Sequence, residues 1–84
     1  MRMFYINQLL QRYDSLRTNY KEKLEEIGEL QIEVLSIIED IDNRKNPKDI
    51  NFIEILIFIQ TELYILQQKA LKNLIKKGGH YEKD

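Results

Sequence analysis

Of the residues most often used as nucleophile and base, this 84-residue chain has only Ser15, Ser36 and the single histidine, His80, with no cysteine. A hydrolase or transferase needs a nucleophile beside an oriented base, and neither serine stands in the strand–turn–helix setting that would present one. His80 follows Gly78-Gly79 near the end of the chain and reads as an unstructured tail residue. One histidine without a thiolate leaves no ligand set for zinc. The acidic run Glu25, Glu26, Glu29 and Glu33 falls on helix positions beside the apolar seam rather than in it, and no inward Glu-x-x-His pair accompanies it as in di-iron bundles. Asp40, Asp42 and Asn43 lack the glycine turn and distal glutamate of a calcium loop. No glycine-rich phosphate loop occurs. Lys23 is the only basic residue on the first apolar seam, too few to grip a dicarboxylate as a helical chorismate mutase would. The chain is therefore expected to be no enzyme, with no catalytic residue, metal ligand, cofactor or small-molecule substrate.

Composition bounds the rest. Eighty-four residues allow one domain, close to the lower size for a chain that buries its own core. Without cysteine, a disulfide-stapled secreted fold is excluded. Charged residues make up 32% and hydrophobic ones 43%, the balance of a globular or coiled-coil chain rather than a disordered one. The net charge of −1 is not that of a polycation seeking nucleic acid. The N-terminal apolar run ends at Ile6, too short for a signal-peptide core. The most hydrophobic stretch, Ile50 to Ile59, would span about 15 Å as a helix, half a bilayer. A soluble, cytoplasmic protein without membrane contact is expected.

The elements follow from punctuation and period. Asn43-Arg44-Lys45-Asn46-Pro47 breaks the middle of the chain, and Gly78-Gly79 closes the second half. Pro47 suits the first position of a helix, where its missing N–H has no intrahelical partner, and Asn46 then caps it. Lys76 and Lys77 before Gly78 suit a helix end. The second helix is expected over about 47–77, the turn at 44–46, and a flexible tail at 78–84. In the first half, Ile6, Tyr13, Tyr20, Ile27, Val34 and Ile41 recur every seven residues, with Leu9, Leu16, Lys23, Leu30 and Ile37 between them. This is a period of 3.5 sustained for five heptads, with Lys23 its only polar member. Leu10, Leu24 and Ile38 widen the stripe. The phase does not slip at Asp14-Ser15 or at Gly28, where a break is conceivable, so one helix over about 3–43 is the reading, with a version split into two helices as its alternative. Lys23 reads as a stem packed along the seam with its ammonium reaching solvent; anion recognition or register-setting is its other role.

The second half carries one seam at Phe52, Leu56, Ile59, Leu63, Leu66 and Ala70, and a second stripe at Ile53, Ile57, Tyr64, Leu71 and Ile75. A β-strand over Ile50–Ile59 suits the isoleucine and phenylalanine content, but the preceding cap and the helical spacing after it argue for helix. One partner helix cannot cover both stripes. In an all-α, antiparallel two-helix hairpin, moreover, the first dozen residues overhang the shorter second helix. Both features predict a homodimer, two coiled-coil-like hairpins forming a four-helix bundle, obligate in the sense that the monomer alone would fold poorly.

The interface residues are then Phe4, Ile6, Leu9, Leu10, Tyr13, Ile53, Ile57, Tyr64 and Leu71. Residues 1–23 carry five basic and two acidic side chains, residues 24–42 seven acidic and none basic, and residues 67–84 five basic and two acidic, so an antiparallel dimer would set acidic halves against basic ones. The functional expectation is a small interaction module that pairs with itself and with another protein, acting as a regulator, inhibitor or assembly adaptor. The alternatives are a structural coiled-coil component and a nucleic-acid binder contacting phosphates through Arg12, Arg17, Lys21, Lys69, Lys72, Lys76 and Lys77. The nucleic-acid alternative shares its architecture, though no motif, with small dimeric hairpins that bind paired RNA. High isoleucine, lysine and asparagine content suits an AT-rich genome, as of a phage, a plasmid or a low-GC bacterium.

Overall fold

The computed structural model describes residues 3–44 and 47–78, and these are almost entirely helical, with no strand among them. Helix α1 runs Met3–Thr18, a short 3₁₀ turn covers Tyr20–Glu22, α2 runs Leu24–Arg44 and α3 runs Pro47–Gly78. Ile50–Ile59 lies inside α3, where the proline at the first helical position and the 3.6-residue period place it. Asn46 and the tail from 79 to 84 lie outside the described residues.

The first half is not one helix. It stops at Thr18 and resumes at Leu24, so the continuous helix over 3–43 and the two-helix hairpin built on it are corrected to three helices. The break has a local cause. Thr18 and Asn19 are weak helix formers whose side chains compete for backbone groups. The Thr18 hydroxyl donates to the Asp14 carbonyl at 3.1 Å, and the Asn19 N–H donates to the Leu16 carbonyl at 3.2 Å, tightening the last turn. The Lys23 N–H then donates to the Tyr20 carbonyl at 3.1 Å. Lys23 has left helical geometry, at φ −119° and ψ 26°, and its carbonyl accepts the Ile27 N–H at 2.9 Å. Lys23 thus stands as the N-cap of α2, with Glu25 and Glu26 in the first turn, where the helix dipole favours negative charge. The one polar seam position is where the chain bends. Asp14-Ser15 and Gly28 both remain within helices.

The bend folds α1 back against the α2–α3 pair. Tyr5 and Arg12 reach Glu33 of α2, and Tyr13 reaches Glu62 of α3. One core runs through all three helices: Ile6, Leu9 and Tyr13 from α1, Ile27, Leu30, Val34 and Ile41 from α2, and Leu56, Ile59, Leu63, Leu66 and Ala70 from α3. Every one of these is a seam residue of the period-3.5 pattern. That pattern reports which face is buried and not which element buries it. A straight helix needing a second chain and a bent one covering itself therefore write the same sequence periodicity. The molecule is a rod with extents of 56 × 22 × 15 Å.

Candidate functional site

The segment expected to overhang is instead clasped. Glu33 accepts a hydrogen bond from the Tyr5 hydroxyl at 3.1 Å and two from Arg12 Nη1 at 2.8 and 2.9 Å, so one carboxylate ties the first turn and the middle of α1 to α2. On the opposite flank the Tyr13 hydroxyl donates to Glu62 at 3.0 Å. Burial, the hydrogen bond to Glu33 and that carboxylate's charge hold the Tyr5 phenol above its ordinary 10.0, with Arg12 pulling the other way. Burial, then the hydrogen bond to Glu62 and its charge, raise the Tyr13 phenol as well. These contacts hold neutral phenols at a helix junction and offer no acid or base near neutral pH.

The residues expected to meet a partner therefore divide. Ile6, Leu9 and Tyr13 are buried in the chain's own core, a correction whose cause is the fold-back of α1. Leu10, Ile53 and Leu71 are half-buried. Phe4 (70% exposed), Ile57 and Tyr64 stand in solvent.

Helix α3 is apolar on two opposite sides. At about 100° per residue, Leu56, Ile59, Leu63, Leu66 and Ala70 share the side that faces α1 and α2. Ile57, Phe58, Tyr64 and Ile65 surround Thr61 on the side turned away, and remain 50%, 55%, 57% and 43% exposed. Sequence reasoning found Ile57 and Tyr64 but passed over Phe58 and Ile65. The signal was there: each follows a member of the second stripe by one residue, at the same seven-residue interval. Ile32 (71% exposed) and Leu35 of α2 were likewise passed over. The second stripe was expected to need a cover because a single partner helix could not reach it. In the structure two partner helices pack against α3, and Ile57, Tyr64 and Ile75 are still open.

The basic residues are dispersed. Arg12 is engaged with Glu33, and Arg17 pairs with Asp14 at 2.7 Å. Lys21, Lys69, Lys72 and Lys76 are exposed, and the Lys77 side chain lies outside the described ones. Lys23, half-buried, has its ammonium 3.9 Å from Glu26. Between α2 and α3 lies a small polar layer: Gln60 Nε2 donates to the Gln31 carbonyl at 3.2 Å and Gln31 Nε2 to Gln67 Oε1 at 3.3 Å, while Gln60 Oε1 is buried without a partner. An open cleft of about 380 Å³ on α1 is lined by Tyr5, Gln8, Leu9, Gln11, Arg12 and Ser15. It sets no base beside the serine, and its only cation is already bound to Glu33. Among the described residues no group of acidic or histidine side chains could hold a metal ion, and no helix is long and apolar enough to cross a membrane. No family model, curated protein or solved structure matches this chain.

Proposed function

We propose that this chain is a small helical protein–protein interaction module that works as a homodimer and serves as a regulator, inhibitor or assembly adaptor, without catalysis of its own. The observation that supports this is the apolar outer side of α3. Eleven large apolar side chains stand exposed among the described residues, against twelve residues in the core, and four of the eleven cluster around Thr61. Scattered apolar residues on a surface are ordinary; a cluster on consecutive turns of one helix marks a contact surface. Helix faces of this kind are recognised by other helices, through anchors at i, i+3, i+4 and i+7.

The test is sedimentation of the native chain beside Ile57→Asp, with helicity followed by circular dichroism. The native protein should associate, and the variant should sediment as a helical monomer, because Ile57 lies outside the closed core. A native chain that is monomeric at all concentrations, or a variant that associates equally, rules the reading out. Oligomers beyond the dimer would favour a structural coiled-coil role, and salt-sensitive retention on heparin would favour nucleic acid.

A further inference from the structure

The outer face of α3 reads the same in both directions. Taking Thr61 as centre, Ile57 and Ile65 lie four residues to either side, and Phe58 and Tyr64 lie three to either side. All four are half-exposed, and Thr61 between them is exposed and small. A two-fold interface requires just this property: residue i meets residue j, and j meets i. A helix face ordered about a central small residue is complementary to a second copy of itself laid antiparallel.

We infer that the occupant of this face is a second copy of the chain, with α3 packed antiparallel on its twin and the two-fold axis passing between the two Thr61 residues. The inference rests on the interaction-module reading above and names the partner of that surface. The two-fold operation reverses the helix direction and the direction of approach but keeps the sideways displacement. Ile57 and Tyr64 lie about 40° and 60° to one side of Thr61 around the helix, and Ile65 and Phe58 about 40° and 60° to the other. In this arrangement Ile57 therefore meets Tyr64 of the second copy, and Phe58 meets Ile65, each pair about one residue's rise apart in level.

The charges beyond the apolar centre agree in sign. Glu54, exposed two turns before Thr61, falls opposite Gln68 of the twin, and the exposed Lys72 lies one turn further along, within reach of its four-carbon stem. The symmetry makes this contact twice, once at each end. A parallel pairing would instead set Glu54 against Glu54 and Lys72 against Lys72, a like-charge juxtaposition. Because the apolar centre points directly away from α1 and α2, their backbones do not obstruct the approach of the second α3.

The absence of cysteine makes the test direct. Helices packed about 8–10 Å apart bring facing Cα atoms beside the axis to roughly 3.5–5.5 Å, which reaches disulfide range at the wider spacing. Under mild oxidation, Thr61→Cys should link to itself almost completely, whereas Ser36→Cys, also exposed but on α2, should not. Ile57→Cys and Tyr64→Cys should each link poorly alone and efficiently when mixed. Glu54→Lys and Lys72→Glu should each weaken association at least tenfold, and the two changes in one chain should restore it. A Thr61→Cys protein that links no faster than Ser36→Cys overturns the inference. So does self-linking of Ile57→Cys above the mixed pair, which would report a parallel dimer. In either case a chain that still associates, and loses association with Ile57→Asp, keeps the interaction-module reading while this geometry fails. Loss of association altogether removes both.

Discussion

Leu9→Ala separates a chain that covers its own first helix from one that depends on a partner to do so. Leu9 is fully buried, packed among the α1, α2 and α3 seams. Truncating a leucine at such a site removes its transfer free energy and leaves a cavity, a loss of about 2–5 kcal/mol. A chain of 84 residues has on the order of 4–13 kcal/mol of stability in total, so the loss is a large share of it. With a straight first helix, Leu9 of a monomer would stand in water, and the same change would fall within about 0.5 kcal/mol of zero. The measurement is urea unfolding followed by circular dichroism, in the Ile57→Asp background so that association contributes nothing. The midpoint should drop by the equivalent of about 2 kcal/mol or more, and should not move with protein concentration, since stability supplied within one chain carries no mass-action term. A loss near zero, or one that shrinks as concentration rises, would refute the fold-back of α1. Phe4→Ala, at a 70% exposed position of the same helix, is the matched control and should be nearly neutral.

Two further predictions test other parts of the structure. A methyl group added at Gly28 would meet nothing within 4 Å, so Gly28→Ala in the interior of α2 should stabilise the protein by about 0.5–1 kcal/mol, a rise of several degrees in Tm. Tyr5 and Tyr13 have phenols raised above 10.0 in the folded state, so their contribution is complete below that pH and is lost as pH rises through and beyond it, because the unfolded chain ionises first. A Tyr5→Phe, Tyr13→Phe double variant should show a flatter fall in stability than the native chain above pH of about 10, and an unchanged slope would show that these phenols do not couple to folding.

Much of the core was legible because it rests on period alone. Ile6, Leu9, Tyr13, Ile27, Leu30, Val34 and Ile41, with Leu56, Ile59, Leu63, Leu66 and Ala70, are the buried residues of the structure and all fall on seam positions, while the other seam residues, Leu16, Tyr20, Lys23, Ile37 and Phe52, are half-buried. The start of α3 was legible from Pro47, whose effect on the backbone is local. The break at residues 19–23 was harder to see. It contains neither glycine nor proline, and the heptad count passes through it without a slip. Its marks are weak: Thr18 and Asn19 are poor helix formers, and the side chain of Lys23 says nothing of its backbone, which caps a new helix. The clasp of Tyr5 and Arg12 on Glu33 was invisible for the same reason. Residues 28 and 21 positions apart in sequence are brought together only once the chain is known to bend.

The bend also changes what the exposed face can be for. Had α1 been left without cover, association would have been a condition of folding, and no surface would have remained to distinguish the two. With α1 closing the core, the interior is complete in one chain, and Ile57, Phe58, Tyr64 and Ile65 contribute nothing to it. Exposed apolar side chains on a helix carry a cost in solubility and stabilise no fold, so their clustering about Thr61 calls for a contact outside the chain. An interface that is separable from the core responds to concentration and competition. In the dimer proposed above, a monomer that is already folded could leave its twin for another helix presenting a similar set of anchors, without first unfolding. That separability is the physical property a regulator or adaptor needs. It makes a definite demand on Ile57→Asp: the variant must lose association while its helicity and its resistance to urea stay those of the native monomer. An Ile57→Asp chain that unfolds would show that the outer face of α3 belongs to the fold after all, and the distinction between core and contact surface drawn from the structure would fail with it.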